Sequence, residues 1–250
     1  MISLNNQRVL ITGGSRGIGR AAAVLFARAG ADVVISYQSR ETEARATVAE
    51  VEKLGRRCVA VGGDLADSAV VDRLFDRCQK ELGGLDCFIG NAGIWPVEEV
   101  ALREMDATRW RRTMAANLDA IFLTTRAALR LMGQGGRVVL VGSTAGQRGE
   151  SMHADYAATK GAMISLVKSL AIECAPDITV NCVAPGWVDT DMSESSYAGE
   201  GRARITATIP LRRIPPPEDI AGPILFLCSE LARHITGEIL NVNGGSVLCG

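Results

Sequence analysis

An α/β fold, a doubly wound (Rossmann-type), mostly parallel seven-stranded sheet with helices on both faces, is what this sequence predicts, on three observations. Short β-branched runs, apolar on both faces, alternate with helix-period segments almost from end to end. The first run leads at once into a glycine-rich turn and a helix. No linker, repeat or low-complexity stretch divides the 250 residues, and 47% hydrophobic content is enough for one large core, so a single domain over 1–250 is expected.

Strands are expected at 8–12, 32–36, 57–61, 85–89, 137–142, 179–183 and 238–242, each short and rich in Val, Ile, Leu or Cys, as strands covered on both faces must be. Helices fill the intervals near 17–29, 40–54, 67–82, 108–131, 155–174 and 217–231. The irregular stretch, 191–217, is rich in Ser, Gly, Arg and Pro. It follows the sixth strand and so lies over the carboxyl edge of the sheet, where open α/β folds bind ligands; a substrate lid is expected there.

A formal net charge of −1 leaves no electrostatic footprint for nucleic acid or an acidic membrane surface. The densest basic run, Arg109 to Arg112, is interrupted by Trp110 and reads as a solvated helix face. Seven cysteines without a Cys-x-x-Cys, and two histidines, give no metal-ligand spacing. Cys58, Cys87 and Cys182 sit inside apolar strand runs as small buried hydrophobes, and free thiols fit a reducing compartment. The chain reaches its first strand too soon to hold a signal peptide, and no apolar run approaches a membrane span. A cytoplasmic protein with no metal, nucleic-acid or membrane partner is the expectation.

Tyr156 and Lys160 stand four residues apart in Tyr-Ala-Ala-Thr-Lys, which on a helix places phenol and ammonium on one face, one turn apart. A positive charge beside a phenol favours phenolate and makes it a usable acid/base. After the first strand comes Thr12-Gly13-Gly14-Ser15-Arg16-Gly17-Ile18-Gly19. Glycines there permit a tight turn and close approach of backbone to a pyrophosphate, and the helix start offers it free N–H groups. The same stretch matches Gly-x-Ser-x-Gly through Gly13, Ser15 and Gly17, a hydrolase nucleophile elbow, with only His153 and His234 available as a base.

Thr-Gly-x3-Gly-x-Gly near the start with Tyr-x3-Lys past the middle resembles the short-chain dehydrogenase/reductase family, over nearly the full chain and nearest to its 3-oxoacyl-[acyl-carrier-protein] reductase branch. The resemblance implies an NAD(P)-binding domain and hydride transfer between a nicotinamide and a carbonyl or secondary alcohol. It places Asp64 and Leu65 at the adenine, Asn91-Ala92-Gly93 along the cleft, and Pro185, Gly186, Val188 and Thr190 against the nicotinamide. It also makes Asn117, Ser143, Tyr156 and Lys160 a catalytic set. Tyr156 delivers the proton, Lys160 lowers its pKa and grips the ribose, Ser143 orients the substrate oxygen, and Asn117 supports a water relay. By the same likeness the chain forms a homodimer or homotetramer through the helices bearing Asn117 and Tyr156, with the apolar segment 242–250 able to join the interface.

An NAD enzyme usually carries an acid after the second strand; here the strand runs into Ser36-Tyr37-Gln38-Ser39-Arg40, and Arg16 with Arg40 and Ser39 suits a 2′-phosphate. NADP(H) is therefore favoured over NAD(H). Ile94, Trp95 and Trp187 are expected to wall the substrate pocket, and His153 is either a substrate contact or a loop residue without a role. The substrate is a small carbonyl or alcohol, with a 3-oxoacyl thioester first, then sugars, steroids and small alcohols. The turns Met132-Gly133-Gln134-Gly135-Gly136 and Ala175-Pro176-Asp177 lack the basic residues an acidic carrier protein needs, leaving Arg202, Arg204, Arg212 and Arg213 as substitutes. A non-catalytic NADP-binding redox sensor is the reading from a different class.

Overall fold

A computed structural model describes residues 2–249; Met1, and Gly250 at the end of the apolar closing segment, lie outside the described residues. Seven parallel strands form one sheet in the order β3-β2-β1-β4-β5-β6-β7. They are β1 (Arg8–Ile11), β2 (Asp32–Tyr37), β3 (Cys58–Gly62), β4 (Leu85–Gly90), β5 (Met132–Val141), β6 (Ile178–Pro185) and β7 (Ile239–Val242). The chain winds outward from β1 to β3, then returns to pair β4 with β1, Val9 beside Cys87 and Ile11 beside Ile89. That reversal opens a crevice at the carboxyl ends of β1 and β4.

Period-two alternation sends each strand's side chains to two cores. Val9, Ile11, Val33, Ile35, Ile89 and Val139 meet α1 (Gly17–Arg28) and α9 (Glu218–Leu227) on one face. Leu10, Val34, Phe88, Val138, Leu140 and Cys182 meet α3 (Ser68–Leu82), α5 (Ala120–Leu131) and α7 (Ala154–Glu173) on the other. The remaining helices are α2 (Glu41–Lys53), α4 (Ala107–Met114), α6 (Thr144–Arg148) and α8 (Gly201–Thr208). Local chemistry fixes the ends of α3: Asp67 Oδ1 accepts from the Ala69 N–H at 2.9 Å, and Gly83 at φ +80° supplies the left-handed stop.

Three expectations need correction. The helix expected over 108–131 is two helices, α4 and α5, separated by a π-helical turn at Ala115–Asp119 that carries Asn117; such wide turns collect at functional sites. The segment Met132-Gly133-Gln134-Gly135-Gly136 is an extension of β5 with a slip in register between Leu85 and Cys87, the extra residues bulging out of the pairing. The stretch 191–217 contains α8, held down by buried Ile205 and Ile209. Among the described residues no helix is long and apolar enough to cross a membrane, and all seven cysteines are free.

Candidate active site

The glycine turn lies at the mouth of the crevice. Gly13 and Gly17 take φ of +67° and +54°, and Gly19 packs so tightly that a Cβ there would stand 2.2 Å from the Gly13 carbonyl oxygen. Backbone cannot retreat from such a contact as a flexible side chain can. Insertion of a methyl into a filled site costs about 1–3 kcal/mol, so Gly19→Ala is expected to lower Tm by several degrees. Thermal denaturation checks this, and an unchanged Tm would refute the packing role.

Asn91 and Thr12 brace the turn. The Asn91 amide donates to the carbonyls of Thr12 (2.9 Å) and Gly13 (3.2 Å), while Thr12 Oγ1 accepts from the backbone N–H of Asn91 and Ala92. Thr12 carried no signal of its own beyond standing before the first glycine. Ser15, Arg16, Gly17, Ile18, Ser39, Arg40, Asp64, Leu65, Ala92 and Gly93 all border the same cleft, which runs from the turn past the end of β2. Asp64 and Leu65 stand on the same cleft, with Asp64 Oδ1 accepting from the Ala66 N–H at 3.0 Å.

A second cavity opens over β4, β5 and β6 and shares Ile18, Asn91, Gly93, Ile94, Thr190 and Met192 with the first, so the two form one continuous cleft. Ser143, Tyr156, Lys160, Pro185, Gly186 and Val188 converge on it. Ser143 caps α6, its Oγ accepting from the Ala145 N–H at 3.1 Å, which leaves its own hydrogen free to donate. The same hydroxyl reaches the Tyr156 phenol. α6 lies directly on α7, because Gly146 brings it against the Lys160 backbone where a Cβ would stand 2.5 Å from the carbonyl carbon.

Lys160 is buried, with Nζ donating to the Val141 carbonyl at 2.8 Å and lying 5.8 Å from the Tyr156 ring centre. Burial pulls the ammonium down to about 8. Burial also pushes the phenol up to about 12, against the Ser143 hydrogen bond and with the Glu150 charge adding to the rise. This departs from the expectation that Lys160 lowers the phenol. The Val141 carbonyl holds the ammonium, 5.8 Å from the ring centre, and desolvation prevails at the phenol.

Asn117 is fully buried. Its Oδ1 accepts from the Ile94 N–H at 2.7 Å, and its amide donates to the Ile94 carbonyl at 3.0 Å and to Thr159 Oγ1 at 3.4 Å. The side chain thus fastens the 91–94 loop to the helix pair. Gly93 permits this, since a Cβ there would stand 3.0 Å from Asn117 Oδ1.

Ile94, Trp95 and Trp187 do wall the cavity. Trp95 meets the Tyr156 ring edge-on at 4.7 Å and Trp187 at 6.3 Å. His153 is neither a substrate contact nor an idle loop residue: it is buried, stacked on Trp95 at 4.0 Å, with Nε2 2.9 Å from the Pro96 carbonyl. Sequence reasoning missed Arg148 and Glu150, paired at 3.0 Å on the cavity rim, and Asp155, buried beside Tyr156. An acid in the first turn of a helix was the available signal for Asp155.

The hydrolase alternative fails on geometry. Ser15 is buried in the glycine turn, and His153 is buried with its Nε2 bound to the Pro96 carbonyl. Among the described residues no group of acids, histidines and cysteines could hold a metal.

Comparison with known proteins agrees with this geometry. A family profile described as enoyl-(acyl carrier protein) reductase matches residues 13–246. The chain is 38% identical to an L-rhamnose 1-dehydrogenase (NAD(P)(+)) of Azotobacter vinelandii, over 97% of each chain. It is equally 38% identical to a 3-oxoacyl-[acyl-carrier-protein] reductase of Synechocystis, over 99% of this chain and 100% of that protein. Among solved structures, a short chain dehydrogenase from Burkholderia cenocepacia in complex with NADP superposes with a TM-score of 0.91 at 36% identity, covering 97% of this chain and 98% of that one. With a strand order, glycine turn and Ser-Tyr-Lys cluster to match, the chain belongs to the short-chain dehydrogenase/reductase family and is an NAD(P)-dependent oxidoreductase.

Proposed function

We propose that this chain interconverts a small carbonyl compound and its secondary alcohol with NADP(H) in preference to NAD(H), and that Tyr156, Ser143, Lys160 and Asn117 carry the chemistry. The convergence of Ser143, Tyr156 and Lys160 on one cavity wall is the observation that carries the reading. The fit of a nicotinamide cofactor rests on a cleft that runs without interruption from the glycine turn, where Gly13 and Gly17 take positive φ, to that wall. Gly13 to Gly19 would hold the pyrophosphate at the start of α1, Asp64 and Leu65 the adenine, and Pro185, Gly186, Val188 and Thr190 the nicotinamide. Bound there, the nicotinamide supplies or accepts a hydride.

The protein's part is proton chemistry and positioning. At neutral pH the raised phenol of Tyr156 is protonated, the form needed to donate to a carbonyl oxygen as negative charge gathers on it. Ser143 donates a second hydrogen bond to that oxygen. The ammonium of Lys160 places a positive charge behind both and leaves a donor for the ribose hydroxyls. Asn117 keeps the 91–94 loop in register with α7, and the resemblance adds a water relay at the same residue.

For the cofactor, the support is charge. No acid stands between Ser36 and Arg40, and the two cations on that part of the cleft are Arg16 and Arg40. A hydrogen bond to a charged group is worth about 1.5–3 kcal/mol, so Arg40→Ala is expected to raise the NADPH dissociation constant roughly tenfold. NADH affinity should hold, since it carries no 2′-phosphate. Equal loss for the two cofactors, read by fluorescence titration, would defeat the assignment.

For the substrate, the cavity favours a compact body. Two indoles face it, with the Arg148–Glu150 pair on the rim. Three of the four cations proposed to meet a carrier protein are engaged within the chain. Arg202 pairs with both oxygens of Asp189 and lies over the Tyr197 ring, Arg213 pairs with Asp219, and Arg212 donates to the Ala207 carbonyl. This supports a free small molecule, a sugar or a short 3-oxoacyl thioester, over a carrier-bound chain. NADPH consumption with a 3-oxoacyl thioester, beside NADP reduction with a panel of aldoses, separates the two; cofactor binding with no turnover on either panel would favour the sensor reading. Phe122 on α5 and Ile172 on α7 are exposed on outer helix faces, which supports a homodimer or homotetramer packed there.

A further inference from the structure

Two carboxylates and two guanidiniums border the cleft between the glycine turn and β2: Asp64 and Asp191, Arg16 and Arg40. Asp64 turns onto its own loop, accepting from Ala66, and Arg40 is paired with Glu43 at 3.0 Å. Asp191 reaches across the cleft instead. Its Oδ2 accepts a single hydrogen bond from Arg16 Nη1 at 2.8 Å. That bond, followed by the charges of Arg16 and Arg40, holds its carboxyl below the usual carboxylate range despite partial burial. The preceding residue, Thr190, lies against the glycine turn, its Cγ2 only 3.3 Å from where a Gly17 Cβ would stand. The first residues of the 191–217 segment therefore rest on the cofactor turn, with this ion pair between them.

We propose that Asp191 is a specificity-determining residue for the cofactor, its carboxylate competing with the 2′-phosphate of NADP for Arg16 and so setting how far the site prefers NADP over NAD. The proposal rests on the NADP reading above. The existing pair is one contact between side chains 43% and 60% exposed, an interaction of little worth in water. A phosphate presents three acceptor oxygens and nearly two charges, and a planar guanidinium meets it with two parallel N–H donors. Phosphate therefore takes the guanidinium. Asp191 then loses its partner, and its negative charge remains a few ångströms from another. NAD brings only a hydroxyl to the same place and leaves the pair intact. The penalty falls on NADP alone, so removing the charge should widen the preference.

The test is a fluorescence titration of NADPH and NADH, at one low ionic strength, into wild type, Asp191→Asn, Arg16→Gln and the double variant. Asparagine keeps the shape of an exposed side chain and should not disturb folding. Asp191→Asn is expected to bind NADPH roughly threefold to tenfold more tightly, with NADH unchanged. The gain should shrink with added salt and be smaller where Arg16 is already Gln. Unchanged or weaker NADPH binding would overturn the proposal, the weaker result showing that Asp191 orients Arg16 for the phosphate. A parallel shift for both cofactors would also overturn it, by assigning the effect to the seating of the 191–217 segment. A wild type that binds NADPH no tighter than NADH would instead remove the NADP reading on which the proposal stands, whatever Asp191 does.

Discussion

Tyr156→Phe should lose about 10²- to 10⁴-fold in turnover, the range a positioned general acid contributes, while binding NADPH within a few-fold of wild type. The phenol and ring occupy the same space but for one oxygen, and Trp95 meets the ring edge and not the hydroxyl's proton, so packing survives the change. What disappears is the phenol proton, held at neutral pH by a pKa pushed up to about 12 and beside the Ser143 hydroxyl. Ser143 alone can still orient the carbonyl oxygen but cannot protonate it at a useful rate, its own hydrogen being held far more strongly. The raised phenol also gives a direction in pH. Alcohol oxidation requires Tyr156 as the base, and a phenol pushed up to about 12 is scarcely ionised at pH 7. Oxidation should therefore climb through the alkaline range in the wild type, and that climb should be absent in Tyr156→Phe. Turnover retained in the variant, or oxidation independent of pH, would end the assignment.

How much of this was legible in the sequence follows from which interactions are local. The seven strands were, because burial on both faces leaves nearly unbroken apolar runs such as Val9-Leu10-Ile11 and Cys87-Phe88-Ile89. Gly13, Gly17 and Gly19 were, because the turn's conformation and its packing are requirements on consecutive residues. The Tyr156–Lys160 spacing was, since one helical turn is itself a sequence distance. Contacts made across the fold were not. Nothing near Ala115-Ala116-Asn117 announces a π turn, and the Asn117 amide in it bonds to Ile94, 23 positions away. Nothing near Lys160 says that its ammonium will be buried and bonded to the Val141 carbonyl. The role of His153 depends on Trp95 and Pro96, which follow β4 and lie more than fifty positions away in sequence. Residue identity thus located the chemistry, while the electrostatics of each group were settled by neighbours that only folding supplies.

Asp155 shows the consequence for stability, and its replacement should cost more than any surface change in the chain. Its carboxylate is fully buried at the start of α7 and is met from α4 by Arg109 Nε at 3.1 Å and Thr113 Oγ1 at 2.8 Å. Arg109 in turn donates to the Glu98 carbonyl at 2.6 Å, so one acid ties together α4, α7 and the loop that follows the 91–94 turn. Breaking a buried pair by removing one partner costs about 3–5 kcal/mol, because the other charge is left without compensation. For a chain of this size each kcal/mol lowers Tm by about 2–4 °C, so Asp155→Ala should melt on the order of 10 °C below wild type. Burial alone would raise the Asp155 carboxyl, but hydrogen bonds from Arg109, Thr113 and the Tyr156 backbone, with the Arg109 charge, hold it below the ordinary carboxylate value. A group whose folded pKa is depressed contributes stability above its unfolded pKa and loses it as pH falls through the folded one. The gap in Tm between wild type and Asp155→Asn should accordingly be full at pH 7 and narrow below about pH 4, where the unfolded carboxyl takes up its proton. A gap that stayed constant to low pH would mean that shape, not charge, is what Asp155 supplies beside the catalytic tyrosine.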